Sequence, residues 1–277
     1  MFEFSGGAAV RWNEGLGWSD TMAERVVIGN AELWHGDCRE VLPLLPTVDC
    51  VVTDPPYVGL TGGMDRSACG GVGMRQDGDS ISLGDEWGAD FSWCDLAWQV
   101  ARFGVIVFGP HKTIAETRAA FPDASVVALL TWQKRNSPPT GKNLPRWTSE
   151  FAWALAKAPG IKWDRFKETV FDIPGLPSGC MATERILDTM GRSVHPTQKP
   201  VALMRELVAV VDGPVADCFM GTGTTGVACA QMGRRFYGIE RERKYFDIAC
   251  ERIARAQAQG QLIPPEPAPD MVQEGLL

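Results

Sequence analysis

Apolar positions fall into short strand-sized runs and longer stretches of helical spacing along most of the chain. Residues 31–35 (AELWH) read as a strand, 39–45 as a short helix stopped at Pro46, and 48–53 (VDCVVT) as a β-branched strand running into Asp54-Pro-Pro-Tyr57. Helical spacing covers 93–103, a buried strand covers 104–108 (GVIVF), and a helix covers 113–120. Two more strands are predicted over 125–132 and 150–156. Pro200 suits the first turn of an amphipathic helix over 200–211, where a missing N–H costs nothing. Val215-Ala-Asp217 ends a strand, 224–232 is a helix, 235–240 (RFYGIE) a strand, and 244–257 the closing helix. Strands alternating with helices predict an α/β fold built on an open, doubly wound, largely parallel sheet.

The patterned part runs from 26 to 257. Residues 1–25 carry Gly and Trp without a period and read as a poorly ordered arm, with Met22 as a second candidate start. Residues 258–277, with four prolines, read as a disordered tail. Within the domain, 58–91 is a long Gly-rich loop, and loops of that length are functional or disordered. The segment 157–194 is irregular, with Trp163, Arg165, Phe166 and Lys167 close together.

Composition narrows the classes. Hydrophobic residues make up 45% and charged residues 22%, ordinary values for a soluble globular protein. No apolar run reaches membrane length, and the first residues lack a basic flank before an apolar stretch. Eight cysteines without a CxxC give neither a zinc site nor a disulfide framework, so no metal is expected. Cys50, Cys218, Cys229 and Cys250 sit in apolar patterns and read as small core residues, which fits a reducing cytoplasm. The net charge of −7 speaks mildly against a polyanion partner, although local patches outweigh totals. Lys134, Arg135, Lys142 and Arg146 lie in an acid-free stretch, 131–149, which on charge alone is a solvated loop.

Three motifs carry chemistry. In Asp217-Cys-Phe-Met-Gly-Thr-Gly-Thr-Thr-Gly226, Gly221, Gly223 and Gly226 give a GxGxxG spacing between strand and helix. Such a turn lets the backbone approach a ligand at a helix N-terminus. Glu240 ends the next strand, where an acid can take both ribose hydroxyls. Taken alone, this pair leaves open a nicotinamide cofactor or an accidental glycine turn. Asp54-Pro-Pro-Tyr57 follows a buried strand, at the sheet edge where ligands bind in such folds. Its prolines remove two N–H donors, leaving the Asp54 carboxylate and nearby carbonyls as acceptors suited to a substrate –NH2 group. Accepting the hydrogens of a nucleobase amine frees its delocalised lone pair, and Tyr57 can stack on the base at roughly 1–3 kcal/mol. His195-Pro-Thr-Gln-Lys-Pro200 is a rigid turn into a helix; Thr197 or Gln198 can cap that helix, and Lys199 with the helix N-terminus favours an anion.

TDPPY, HPTQKP and DCFMGTGTTG, in that order, resemble the amino-methylating (N6-adenine/N4-cytosine) DNA methyltransferases with beta-type motif order, over about residues 31–256. The resemblance implies the seven-stranded sheet of S-adenosylmethionine-dependent methyltransferases. It implies that cofactor, with Asp217, Phe219, Gly221, Gly223, Thr224 and Thr225 around its methionine part and Glu240 on its ribose. Asp37, with Cys38 beside it, would meet the adenine edge, and His195, Thr197, Gln198, Lys199 and Pro200 would close on the amino-acid end. Asp54 and the Pro55-Pro56 backbone would bind the target amine, with Tyr57 on the flipped base. Double-stranded DNA is the implied partner, and family members often pair as homodimers. Methylating an amine inside a duplex requires extruding its base. In that context Lys134, Arg135, Lys142 and Arg146 become candidates for phosphate contacts, and 58–91 and 157–194 for target recognition. Asp at position 54 leans toward adenine N6, because N4 members more often carry serine there; cytosine N4 stays as the alternative and a nicotinamide enzyme as a remote one. Cys218 departs from the family's usual proline.

Overall fold

The computed structural model describes residues 10–12, 23–56, 90–111, 113–136, 148–157, 165, 168–176, 184–187, 194 and 198–262. The chain begins with strands β1 (Val10–Trp12), β2 (Glu24–Ile28) and β3 (Ala31–His35). Helix α1 (Cys38–Val41) runs into a 3-10 turn (Leu42–Leu44), then β4 (Val48–Thr53), α2 (Ser92–Val100), β5 (Ala101–Gly109) and α3 (Ile114–Ala119). Next come β6 (Val126–Gln133), β7 (Ser149–Ala156), β8 (Val170–Asp172) and α4 (Val201–Val208). The chain closes with β9 (Val215–Asp217), α5 (Thr224–Gln231), β10 (Phe236–Glu240) and α6 (Arg243–Leu262).

The described strands join one ten-stranded sheet, in the order β1-β2-β3-β10-β9-β4-β5-β7-β6-β8. The five strands β3, β10, β9, β4 and β5 are mutually parallel. The expected seven-stranded sheet corresponds to the run from β3 to β6 in that order; β1 and β2 extend one edge and β8 the other. Strand β4 shows why the centre is parallel. Cys50 and Val52 enter one core, with α4, α5 and α6, while Val48 and Val51 enter the other, with α1 and α2. A strand buried on both faces reads as a continuous apolar run, and this one does. No helix among the described residues is long and apolar enough to cross a membrane.

Three stretches read as unpatterned contain regular elements. The arm 1–25 contains β1, paired antiparallel with β2, and the start of β2 itself. The segment 157–194 contains β8, which runs parallel to β6 from the Thr131–Val170 pair. Helix α6 continues to Leu262, into the expected tail, because the first prolines fall only at 264 and 265. Helix α2 stops at Val100 rather than 103, since Ala101 is already claimed by its ladder with Val48 of β4.

Candidate active site

The parallel strands deliver Asp37, Glu240, Asp217 and Asp54 to one edge of the sheet, at or just past their carboxyl ends. Strand order reverses between β9 and β4, and ligands of open α/β sheets bind at that crevice. Thr53, the last residue of β4, spans it: its hydroxyl donates to Asp217 Oδ1 at 2.7 Å.

Asp217 braces the glycine turn. Its Oδ1 also accepts from the Phe219 N–H at 3.1 Å, and its Oδ2 accepts from the Thr225 hydroxyl at 2.5 Å. Burial pushes the Asp217 carboxyl up to about 6, although these donors pull the other way. Asp217 and Thr225 therefore shape the turn from beneath. Gly221 and Gly223 carry φ of 52° and 80°, the left-handed region that glycine adopts without strain. From α6, Arg252 Nη1 donates to the Thr222 carbonyl at 2.6 Å and lies 3.2 Å from the Thr224 hydroxyl.

Glu240 lies against the same turn. Its Oε2 accepts from Gly221 N–H at 2.8 Å and its Oε1 from Glu242 N–H at 2.7 Å. Burial pushes this carboxyl up to about 7, and the two backbone donors restrain the rise. A carboxylate offers about four lone-pair sites, so two acceptor positions remain for hydroxyl donors. This chemistry fits the ribose of S-adenosylmethionine: a glycine turn open to backbone approach, with a partly buried acid at the next strand end.

Asp37 and Cys38 open α1. Asp37 caps α1 through the Arg39 N–H at 2.9 Å, and its Oδ2 takes Arg39 Nη2 at 2.7 Å. The Arg39 hydrogen bond is the main cause that holds its carboxyl below the ordinary value. The Cys38 thiol is buried in the α1–α2 core, and that burial pushes it up to about 12. Phe219 meets Trp93 edge-on at 5.1 Å.

Lys199 links two of the motifs. Its ammonium bonds Asp54 Oδ2, lies 3.3 Å from Glu150 Oε2, and sits 4.9 Å over the Phe108 ring. Lys199 is only 5% exposed. The Lys199 ammonium thus reaches from the residue before Pro200 to the carboxylate that follows β4. Gln198 is buried too. It donates to the Glu184 carbonyl at 2.9 Å and accepts from Ile186 N–H at 3.2 Å. Helix α4 is capped by the Glu184 carboxylate on Val201 N–H rather than by Gln198, and Pro200 is its extended N-cap residue.

The basic stretch divides. Lys134 is no solvated loop residue: it directly follows β6, donates to Glu150 Oε1 at 2.6 Å and lies over Trp132. Arg135 is exposed and pairs with Asp172. Tyr57, Lys142, Arg146, Trp163, Phe166, His195 and Thr197 lie outside the described residues. Pro55 and Pro56 follow Asp54 in half-buried chain outside any helix or strand. The sequence reading missed Thr53, Glu150, Glu184 and Arg252. Only Thr53 carried a signal, as the polar end of an apolar strand; the others act through pairings remote in sequence.

Known proteins with the same arrangement are numerous. The N6/N4 methyltransferase profile, described as DNA methylase, matches residues 48–251. The Type II methyltransferase M.HinfI of Haemophilus influenzae is 29% identical over 251 residues, covering 79% of this chain and 67% of its own. M2.DpnII of Streptococcus pneumoniae is 29% identical over 241 residues, covering 80% of this chain and 88% of its own. Among solved structures, the M1.HpyAVI–SAM complex superposes with a TM-score of 0.57 at 26% identity, covering 80% and 98% of the two chains. The PvuII DNA methyltransferase, cytosine-N4-specific, shares the fold at a TM-score of 0.57 and 15% identity, over 82% and 87%. The nicotinamide reading of the glycine turn is thereby set aside. With its acceptor motif, glycine turn and sheet order in one consistent arrangement, the chain belongs to the family of S-adenosylmethionine-dependent DNA methylases that methylate exocyclic amines.

Proposed function

We propose that this DNA methyltransferase acts on the N6 amine of adenine in double-stranded DNA, after extruding the base. The observation that carries the reading is Asp54, a carboxylate at the carboxyl end of β4, one residue from the Thr53 bridge to the cofactor turn. S-adenosylmethionine, when bound, supplies a methyl group on a positively charged sulfur. The chain's own residues do the rest. Asp54 and the carbonyls of the proline pair accept the amine hydrogens. The bound cofactor would supply the methyl group to the amine lone pair, and Asp54 would take the surplus amine proton. Glu240 holds the ribose, and the turn braced by Asp217 fixes where the methionine part lies.

Aspartate at position 54, rather than serine, favours adenine. Cytosine N4 is the second reading, since the same acceptor logic serves its amine and the cytosine-N4-specific PvuII enzyme has this fold. Arg135, Lys142 and Arg146 are proposed to contact phosphates. The test is to incubate the purified protein with unmodified DNA and methyl-labelled S-adenosylmethionine, then digest to nucleosides. Label in N6-methyldeoxyadenosine supports the reading; label in N4-methyldeoxycytidine replaces it with the second.

A further inference from the structure

Four charged side chains from separate stretches of chain form one line behind the acceptor motif. Lys134 follows β6, Glu150 lies in β7, Lys199 precedes α4 and Asp54 follows β4. The hairpin of β6 and β7 explains the meeting. Strand β7 runs antiparallel to β5, so its first residues lie at the carboxyl edge of the parallel strands, and β6 ends beside them. Glu150 therefore faces the crevice from the strand next to Phe108. Lys134 meets one of its oxygens at 2.6 Å and Lys199 the other at 3.3 Å, while Lys199 also bonds Asp54. No step of methyl transfer itself uses Glu150.

An ammonium against a carboxylate has two opposed effects. It fixes the carboxylate in one pose and keeps it ionised, but it also weakens the carboxylate as a proton acceptor. A second carboxylate on the same ammonium restores part of that acceptor strength while anchoring the ammonium. We propose that Glu150 is a positioning residue for methyl transfer: it anchors Lys199 and offsets its charge, so that Asp54 is held in place, ionised, and still able to take the amine proton. This rests on the assignment of Asp54 as the amine acceptor.

The surroundings agree. Burial pushes the Glu150 carboxyl up, but Lys199 and Lys134 outweigh it and hold it below its ordinary value. Glu150 is thus ionised at neutral pH and available as a counter-charge. Among the described residues, charged groups beside the line include Asp217 from β9, whose carboxyl feels the charge of Asp54, and Glu184, whose carboxylate caps α4 two residues beyond Lys199. The Phe108 ring closes the remaining side from β5.

The two neighbours of Asp54 should act with opposite sign, which a purely structural role would not produce. The experiment measures single-turnover methyl transfer from pH 5 to 9, with saturating S-adenosylmethionine and a duplex carrying the site found modified in host DNA. Wild type, Glu150→Gln, Lys199→Met and Asp54→Asn are compared, and calorimetry with the cofactor checks that each is folded. Lys199→Met should move the acid limb up by about 1–3 pH units, the usual effect of removing an adjacent opposite charge. Glu150→Gln should move it down and lower the plateau rate. A Glu150→Gln profile that superposes on wild type, or moves in the same direction as Lys199→Met, overturns the proposal. Retained activity in Asp54→Asn overturns the acceptor assignment itself, and is distinguishable for that reason. Should a variant be too slow to profile, the Asp54 carboxyl resonance of 13C-aspartate-labelled protein, assigned through Asp54→Asn, reads the same two movements. Opposite movements support the proposal, and a resonance unmoved by Glu150→Gln overturns it.

Discussion

Glu240→Gln tests the cofactor site with a worked magnitude. In the free protein both carboxylate oxygens already accept one backbone N–H each, from Gly221 and Glu242. Ribose hydroxyls would add two further donors to an ionised, largely buried group. Gln keeps the shape, but its amide nitrogen opposes one of those N–H donors and the charge is gone. A hydrogen bond to a charged group contributes about 1.5–3 kcal/mol, so the variant should bind S-adenosylmethionine roughly ten- to hundredfold more weakly. The pH dependence follows from the same group. Burial raises the Glu240 carboxyl to about 7, so at lower pH a proton must leave before the hydroxyls can bond the ionised form. Affinity is therefore present above pH 7 and lost as pH falls through it. Between pH 8 and pH 6 the ionised fraction, and with it the affinity of wild type, should fall about tenfold. Isothermal titration at both pH values checks this, and Glu240→Gln should lose that portion of the slope. An unchanged dissociation constant at pH 8, or the full wild-type slope surviving in the variant, would refute the assignment.

Asp217→Ala should destabilise the fold, since it strands Thr53, Thr225 and the Phe219 N–H at roughly 1–3 kcal/mol for each buried group left unpaired; an unchanged denaturation midpoint would show that the brace is dispensable. Gly226→Ala would drive a Cβ into Ile253 Cδ1 and place it 2.7 Å from Phe236 Cε1, so overpacking should cost about 1–3 kcal/mol, read by thermal unfolding. Neutralising Arg135, Lys142 and Arg146 together should flatten the dependence of log DNA affinity on log salt by about 0.9 for each phosphate no longer neutralised, without changing the methylated site. A salt slope unchanged within error would remove the stretch from the DNA path.

The sequence disclosed most where local pattern and tertiary demand coincide. Strands β4 and β5 were legible because burial on both faces leaves almost nothing but apolar residues, as in Val51, Val52, Val105 and Ile106. Short strands such as β1 and β8 escaped detection because three residues carry no period; their order comes from ladders with β2 and β6. The site divides in the same way. Asp54, Glu240 and the glycine turn sit at strand ends and could be placed from one-dimensional motifs. The Asp54–Lys199–Glu150–Lys134 line could not, because its members are brought together by an antiparallel hairpin at the edge of a parallel sheet. For the same reason Lys134 looked like a basic loop residue when read only beside its acid-free neighbours.

The most direct test of the central claim is sequencing, by a method that detects modified bases, of DNA from a host expressing the wild-type chain and from one expressing Asp54→Ala. The expected result is N6-methyladenine at one short motif in the first and no such modification in the second, with the variant still binding S-adenosylmethionine within a few-fold of wild type. Modification confined to cytosine N4 would contradict the adenine assignment, and undiminished modification by Asp54→Ala would contradict the role of Asp54.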